Sequence, residues 1–184
     1  MASHFAIKYA AHQIRHGGVI IYPTDTVYGL GCDPMNLDAI TYLNQLKRRE
    51  PGKGLILLSH TLALFEDYIE TLTESDQKKI LETSQPTSWI VNAKDSLPDW
   101  LTNEQRTLAI RITQHPVVTE LCQQLGHPIV STSANPRGKK TSRNALEVHK
   151  YFHDKVDAIL IDDRHLSGQA STIKRLENLS TIRP

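Results

Sequence analysis

Three groups of side chains in this chain could do chemistry, and all three are built from hydroxyls and cations. The first is Pro23-Thr24-Asp25-Thr26-Val27-Tyr28-Gly29, which directly follows the apolar run Val19-Ile20-Ile21-Tyr22. Ligands in α/β sheets usually sit beyond the ends of buried strands. Thr24 and Thr26 offer hydroxyls to a polar substrate, and Asp25 can accept from an ammonium or hold a neighbouring loop. The same side chains can also close a purely structural turn. The second group, Ser131-Thr132-Ser133-Ala134-Asn135, ends another apolar run and leads into Arg137, Lys139, Lys140 and Arg143. Hydroxyl-rich strand exits expose N–H groups suited to phosphate or carboxylate. The third group is Lys47, Arg48 and Arg49 with Lys53, a spacing that can clamp a triphosphate or simply complement a helix C-terminus. Arg111 stands apart in Ala109-Ile110-Arg111-Ile112, where a guanidinium calls for a carboxylate partner from the protein or from a ligand.

Other chemistries find little footing. The chain has neither a Walker A loop nor a strand–GxGxxG–helix unit, and it lacks the GxSxG elbow of a serine hydrolase. His12/His16 and His149/His153 have helical metal-ligand spacing but no third ligand at a suggestive distance, so they read as solvated helix faces. Asp162-Asp163 could hold magnesium, although a turn or cap explains the pair more simply. Cys32 and Cys122 match no disulfide framework or zinc pattern, which suggests reduced thiols and a cytoplasmic location. His4, Lys8, His12 and Arg15 interrupt what would have to be the apolar core of a secretory signal. No apolar run approaches the ~20 residues of a membrane helix.

The elements that must position these groups follow from periodicity. The 184 residues, with 39% hydrophobic and 22% charged, are the size and composition of one globular domain spanning 1–184. A net charge of +1 gives no overall pull toward nucleic acid, so any anion site must come from local clustering. Helices are expected from a Ser3 cap to Gly17, over 37–46, 61–69, 75–84 and 115–125, and from a Ser142 cap to about 152. Strands are expected at 19–22, 55–58, 89–91, 108–112, 128–131 and 158–161, with short ones at 171–174 and 179–182, and a loop over 24–36. This alternation predicts an α/β fold, a single open mixed sheet with flanking helices.

Taken together and in order, IIYPTDTVYGLGCDP, LKRREPGKGLILL, LAIRITQHPVV, GHPIVSTSAN and STIKRLENLSTIRP resemble the Sua5/YciO/YrdC family of threonylcarbamoyl-AMP synthases over nearly the whole chain. The family's KxR and SxN signature falls on Lys47, Arg49, Ser133 and Asn135. The resemblance implies a twisted sheet with a basic concave surface. It also implies conversion of L-threonine, bicarbonate and ATP to threonylcarbamoyl-AMP and pyrophosphate, for threonylcarbamoyladenosine formation in tRNA. Mg2+ would come with the ATP, and downstream threonylcarbamoyl transferase proteins would receive the product, leaving contact with tRNA indirect. By position, Thr26, Arg111 and Ser131 would hold threonine. Lys47 and Arg49 would be catalytic and, with Lys53, contact the triphosphate. Thr107, Ser133, Asn135, Thr141, Ser171 and Arg183 would complete the ATP site, with Arg143 as an addition.

Two positions depart from the family pattern. Where PGPxT is usual, this chain has Ser84-Gln85-Pro86-Thr87-Ser88, which keeps the proline, loses the flexible glycine and offers Ser88 for the threonine. Asp25 stands where Glu is commoner. Two rival readings are an RNA-binding maturation protein using the basic face and a paralogue making a different acyl-adenylate. Arg111 in its apolar strand, the Thr-rich loop and the near-neutral charge favour the enzyme over the RNA binder.

Overall fold

Ser3 opens the first helix, α1 (His4–Arg15): its hydroxyl accepts from the Ala6 N–H, and Ile7, Ala10, Ala11 and Ile14 form the buried stripe. The computed structural model describes residues 2–49, 55–142, 144–162, 164 and 166–184. Lys53, Arg143 and Asp163 lie outside the described residues. Helix α2 (Leu37–Lys47) is capped by Asn36 and ends where Arg48 takes a left-handed conformation at φ 49°. Thr73 caps α3 (Glu74–Leu81), and His115 caps α4 (Pro116–Leu125), which stops at Gly126 with φ 80°. In α5 (Ala145–Phe152) the cap is Asn144, which accepts from the Glu147 N–H. Ser142, the expected cap, instead donates inward to the Ala134 carbonyl. The helix expected over 61–69 shrinks to a 3-10 turn, Ala63–Phe65.

Among the described residues nine strands form one sheet: β1 (Ile20–Tyr22), β2 (Gly29–Gly31), β3 (Ile56–Ser59), β4 (Thr87–Asn92), β5 (Thr107–Ile112), β6 (Ile129–Ser133), β7 (Ala158–Ile159), β8 (Thr172–Arg175) and β9 (Thr181–Arg183). Their order is β7-β1-β2-β6-β3-β5-β4-β8-β9. Three pairings, β1 with β7, β3 with β5 and β4 with β8, are parallel and the rest antiparallel, as expected of a mixed sheet.

Strand β2 occupies part of the expected loop, and it decides how the site is assembled. Glycine is a poor strand former, but here it admits neighbours that a side chain would exclude. A Cβ on Gly31 would lie 2.0 Å from the Val130 carbonyl oxygen, and one on Gly29 would lie 3.0 Å from the Tyr22 ring.

Successive strand residues point to opposite faces, and the core divides accordingly. Ile20, Tyr22, Leu58 and Ile129 pack with α1 and α4. Val19, Ile21, Leu57, Val130 and Ile110 pack on the other face with α2, α5 and Ile80 of α3. Further along the first face the floor is Ile56, Ala109, Arg111, Ser131 and Ser133. These residues sit in matched registers, Ile56 opposite both Ala109 and Ser131 and Leu58 opposite Arg111. Two helices therefore cover one half of this face, and the other half is the floor of a cavity.

Candidate active site

The cavity has a volume of about 320 Å³ and is lined by Thr24, Thr26, Arg49, Asn103, Thr107, Arg111, Ser131, Ser133, Ser171 and Arg183, together with apolar side chains that include Ile56, Ile90, Ile173 and Ile182. Its two sequence motifs meet directly. Strands β2 and β6 pair antiparallel, Gly29 opposite Ser133 and Leu30 opposite Thr132. Ser131 and Ser133 are thus residues of a strand and not of a loop beyond it. The main chain of the Thr24–Thr26 turn is held from the far end of the chain, where the Ser167 N–H donates to the Asp25 carbonyl and the Gly168 N–H to that of Thr26.

Thr24 organises that turn: its Oγ1 donates to the Val27 carbonyl, accepts from the Thr26 and Val27 N–H groups, and lies 2.9 Å from Thr26 Oγ1. Arg111, 6% exposed, donates from Nη1 to Thr26 Oγ1 at 3.0 Å and from Nη2 to Asp25 Oδ1 at 2.5 Å. Thr113 donates to the same carboxylate oxygen, so Asp25 fixes the guanidinium from behind. The third edge of the guanidinium is different, because Arg111 Nε is buried without a hydrogen-bond partner. An unpaired buried donor is costly.

Across the cavity, Arg183 donates from Nε and Nη2 to the Ser171 carbonyl. Its pKa is lowered by burial and by repulsion from Arg111, and that of Arg49 by burial. Three arginines line the space, and among its described lining residues there is no aspartate or glutamate. Arg111 is paired with Asp25 behind the wall, and the three guanidiniums still give the cavity a cationic lining.

Of the residues expected at the site, Thr26, Arg49, Thr107, Arg111, Ser131, Ser133, Ser171 and Arg183 line the cavity. Lys47 and Asn135 stand behind Ser133, tied to it and to each other by hydrogen bonds. Thr141 is half-buried and not among the lining residues. Asn103 was not expected. It accepts from the Thr107 N–H, donates to Thr107 Oγ1 at 2.8 Å and so presents that hydroxyl. The only trace in sequence is an Asn four residues ahead of a strand threonine. Of the side candidates, Asp162 accepts from Arg164, as a turn would. The His12 and His16 ring centroids lie 4.1 Å apart with the rings tilted by 40°, and no group of three or more His, Cys, Asp or Glu suited to a metal occurs among the described residues.

The Sua5_yciO_yrdC family model, whose description is telomere recombination, matches residues 12–184. The chain belongs to the Sua5/YciO/YrdC family. Among its relatives, a threonylcarbamoyl-AMP synthase of Pseudomonas putida strain F1 is 40% identical over 185 residues, covering 100% of both chains. Another, from Pseudomonas aeruginosa strain UCBPP-PA14, is 41% identical with the same coverage. The crystal structure of P. abyssi Sua5 complexed with L-threonine matches with a TM-score of 0.89 and 25% identity. That match covers 97% of this chain and 53% of the Sua5 chain, so this chain spans about half of Sua5. E. coli YciO shares the fold at a TM-score of 0.82 and 24% identity, with 98% and 89% covered.

Within this Sua5/YciO/YrdC chain, the departure from PGPxT has a definite setting. Ser88 is fully buried on β4, and its Oγ lies 2.9 Å from Ser171 Oγ, the side chain that also faces Arg183. Pro86 accepts from the Thr172 N–H and aligns β8 with β4. The hydroxyl at position 88 therefore supports the cavity wall from inside the sheet.

Proposed function

We propose that this chain is a threonylcarbamoyl-AMP synthase, a nucleotidyltransferase that makes threonylcarbamoyl-AMP and pyrophosphate from L-threonine, bicarbonate and ATP. The observation that carries this reading is the full-length identity of 40–41% with synthases of that name. The cavity is of the right chemical kind. Threonine sets its carboxylate against Arg111, beside the hydroxyls of Thr26 and Ser131. Arg49 and Arg183 face the phosphates, with Lys53 as a further contact, and Thr107, Ser133 and Ser171 offer hydroxyls to the nucleotide. Asn135 acts through Ser133, and Thr141 would approach the nucleotide from outside the lining residues.

Bicarbonate takes up a proton and loses water to give CO2, to which the threonine amine adds with loss of a proton, giving a carbamate. A carbamate oxygen then attacks the α-phosphorus in line as the bond to the β-phosphate oxygen breaks, and pyrophosphate leaves. The reactants are anions, so the protein's task is to hold them together and to stabilise charge that builds on phosphate. Three arginines and a ring of hydroxyls suit that task without a general base. Magnesium, when present, neutralises phosphate charge. With no converging carboxylate and imidazole ligands among the described residues, the ion would be held chiefly by the phosphates themselves. The product supplies threonylcarbamoyl transferase proteins that act on tRNA in the cytoplasm. No helix among the described residues is long and apolar enough to cross a membrane.

The test is pyrophosphate release from ATP, measured with threonine and bicarbonate and with each left out in turn. Release is expected only when both are present. Release that ignores either one defeats the synthase reading.

A further inference from the structure

The two cations of the KxR pair are placed differently. Arg49 lines the cavity, whereas Lys47, two residues earlier, is 8% exposed and is not among the lining residues. The left-handed turn at Arg48 separates their directions. The Lys47 ammonium has three protons, and four oxygens surround it: the Ser133 carbonyl at 2.5 Å, the Asn135 carbonyl at 2.9 Å, Asn135 Oδ1 at 3.2 Å and Ser133 Oγ at 3.3 Å. No donor capacity is left over. Main chain joins the same two segments, since the Lys47 carbonyl, at the open end of α2, accepts from the Arg137 N–H.

These contacts dictate how the SxN segment is presented. Asn135 Oδ1 is turned to Lys47 and also accepts from Ser133 Oγ at 2.7 Å. Its Nδ2 is thereby turned to the Lys139 and Pro136 carbonyls, which shapes the basic stretch that follows. Ser133 is the element of this network that reaches the cavity.

We propose that Lys47 is a positioning residue whose ammonium ties the end of α2 to Ser133–Asn135 and sets the nucleotide side of the cavity without touching the triphosphate. Its charge is matched by carbonyl and hydroxyl oxygens, while Arg49 supplies the charge that meets phosphate. The effect on nucleotide rests on the synthase reading; the effect on the Ser133–Asn135 segment does not.

The experiment uses K47Q and K47R in the full chain. Arginine keeps the charge but is a planar fork that cannot fill a site built around a compact ammonium. Both variants are expected to move the backbone amide resonances of Ser133–Asn135 in nucleotide-free protein. They should weaken ATP and AMP by the same factor, on the order of tenfold, with the threonine KM unchanged. Adding N135A to K47Q should cost little more than K47Q alone, because the two side chains act as one unit. Recovery of ATP affinity in K47R, a loss confined to ATP with AMP spared, or unmoved amide resonances would each overturn the proposal. If K47Q fails to fold, the Lys47 Nζ resonance of the unaltered protein serves instead. ATP and AMP should shift it alike, and a much larger shift with ATP refutes the positioning role. If pyrophosphate release proves independent of threonine or bicarbonate, the synthase reading falls, while the amide resonances still decide what Lys47 does.

Discussion

At the scale of single residues, the site is a wall of guanidiniums and hydroxyls held in place by their own hydrogen bonds. Arg111 is held by Thr26 and Asp25, leaving Nε without a partner. On the proposed reading, removing it takes away the charge that would pair with the threonine carboxylate. R111A is expected to raise the threonine KM by roughly a hundredfold, the scale of losing one partner of a buried charge pair, while the ATP Kd stays within a few-fold. Equal loss of both in steady-state and calorimetric measurements would place Arg111 in the other half of the site. Lys47 makes a second prediction. Burial, with repulsion from Arg49, pushes its pKa from 10.5 down to about 8. Below about 8 the ammonium is charged in folded and unfolded chains alike, and the cost of burying that charge is constant. Between about 8 and 10.5 the unfolded chain binds the extra proton, so this group's contribution to stability rises with pH. The clasp on Ser133–Asn135 weakens over the same range. Nucleotide affinity should therefore be flat up to about pH 8 and fall above it, whereas K47M binds weakly with no break there.

At the scale of elements, the pairing of β2 with β6 brings the two motifs together, and glycine makes it possible. A methyl group on Gly31 would collide with the Val130 carbonyl at 2.0 Å, an atom of the backbone that cannot swing aside. G31A is expected to cost about 3 kcal/mol, the upper part of the usual overpacking range, read as a lower midpoint in chemical denaturation. What sequence could show divides along similar lines. Arg111 was legible because a guanidinium in an apolar strand has few reasons to be there, and the stripes of α1, α2 and α4 follow from 3.6-residue spacing. Gly29–Gly31 was not legible as a strand, because its pairing depends on close approach and not on propensity. The strand was expected to end at Ser131 and runs on to Ser133, because hydroxyls replace β-branched apolar residues at its end. The contacts that Lys47 makes in the fold were not legible, because Ser133 and Asn135 lie more than eighty residues away in sequence.

At the scale of the whole molecule, a chain of net charge +1 gathers three guanidiniums around one cavity whose described lining holds no carboxylate. Attraction for ATP is therefore local, and salt should reduce it. Affinity is expected to fall by about an order of magnitude as ionic strength approaches 1 M, where the Debye length is ~3 Å; titrations in rising NaCl would show it, and a salt-independent Kd would mean that the guanidiniums do not meet the phosphates. The chain's architecture also bears on how the protein is made. Strand β6 is hydrogen-bonded to β2 on one side and to β3 on the other, so it joins the two parts of the sheet. A ribosome delivers β2 first and β6 roughly a hundred residues later, a delay of about 5–20 s at ordinary synthesis rates. During that interval the nascent chain carries the TDT turn with an unpaired strand edge beside it, and no partial pocket in which to bind. A chain that stalls before Ser133 should be inert and prone to aggregate, and competence should arrive in one step as the last third emerges.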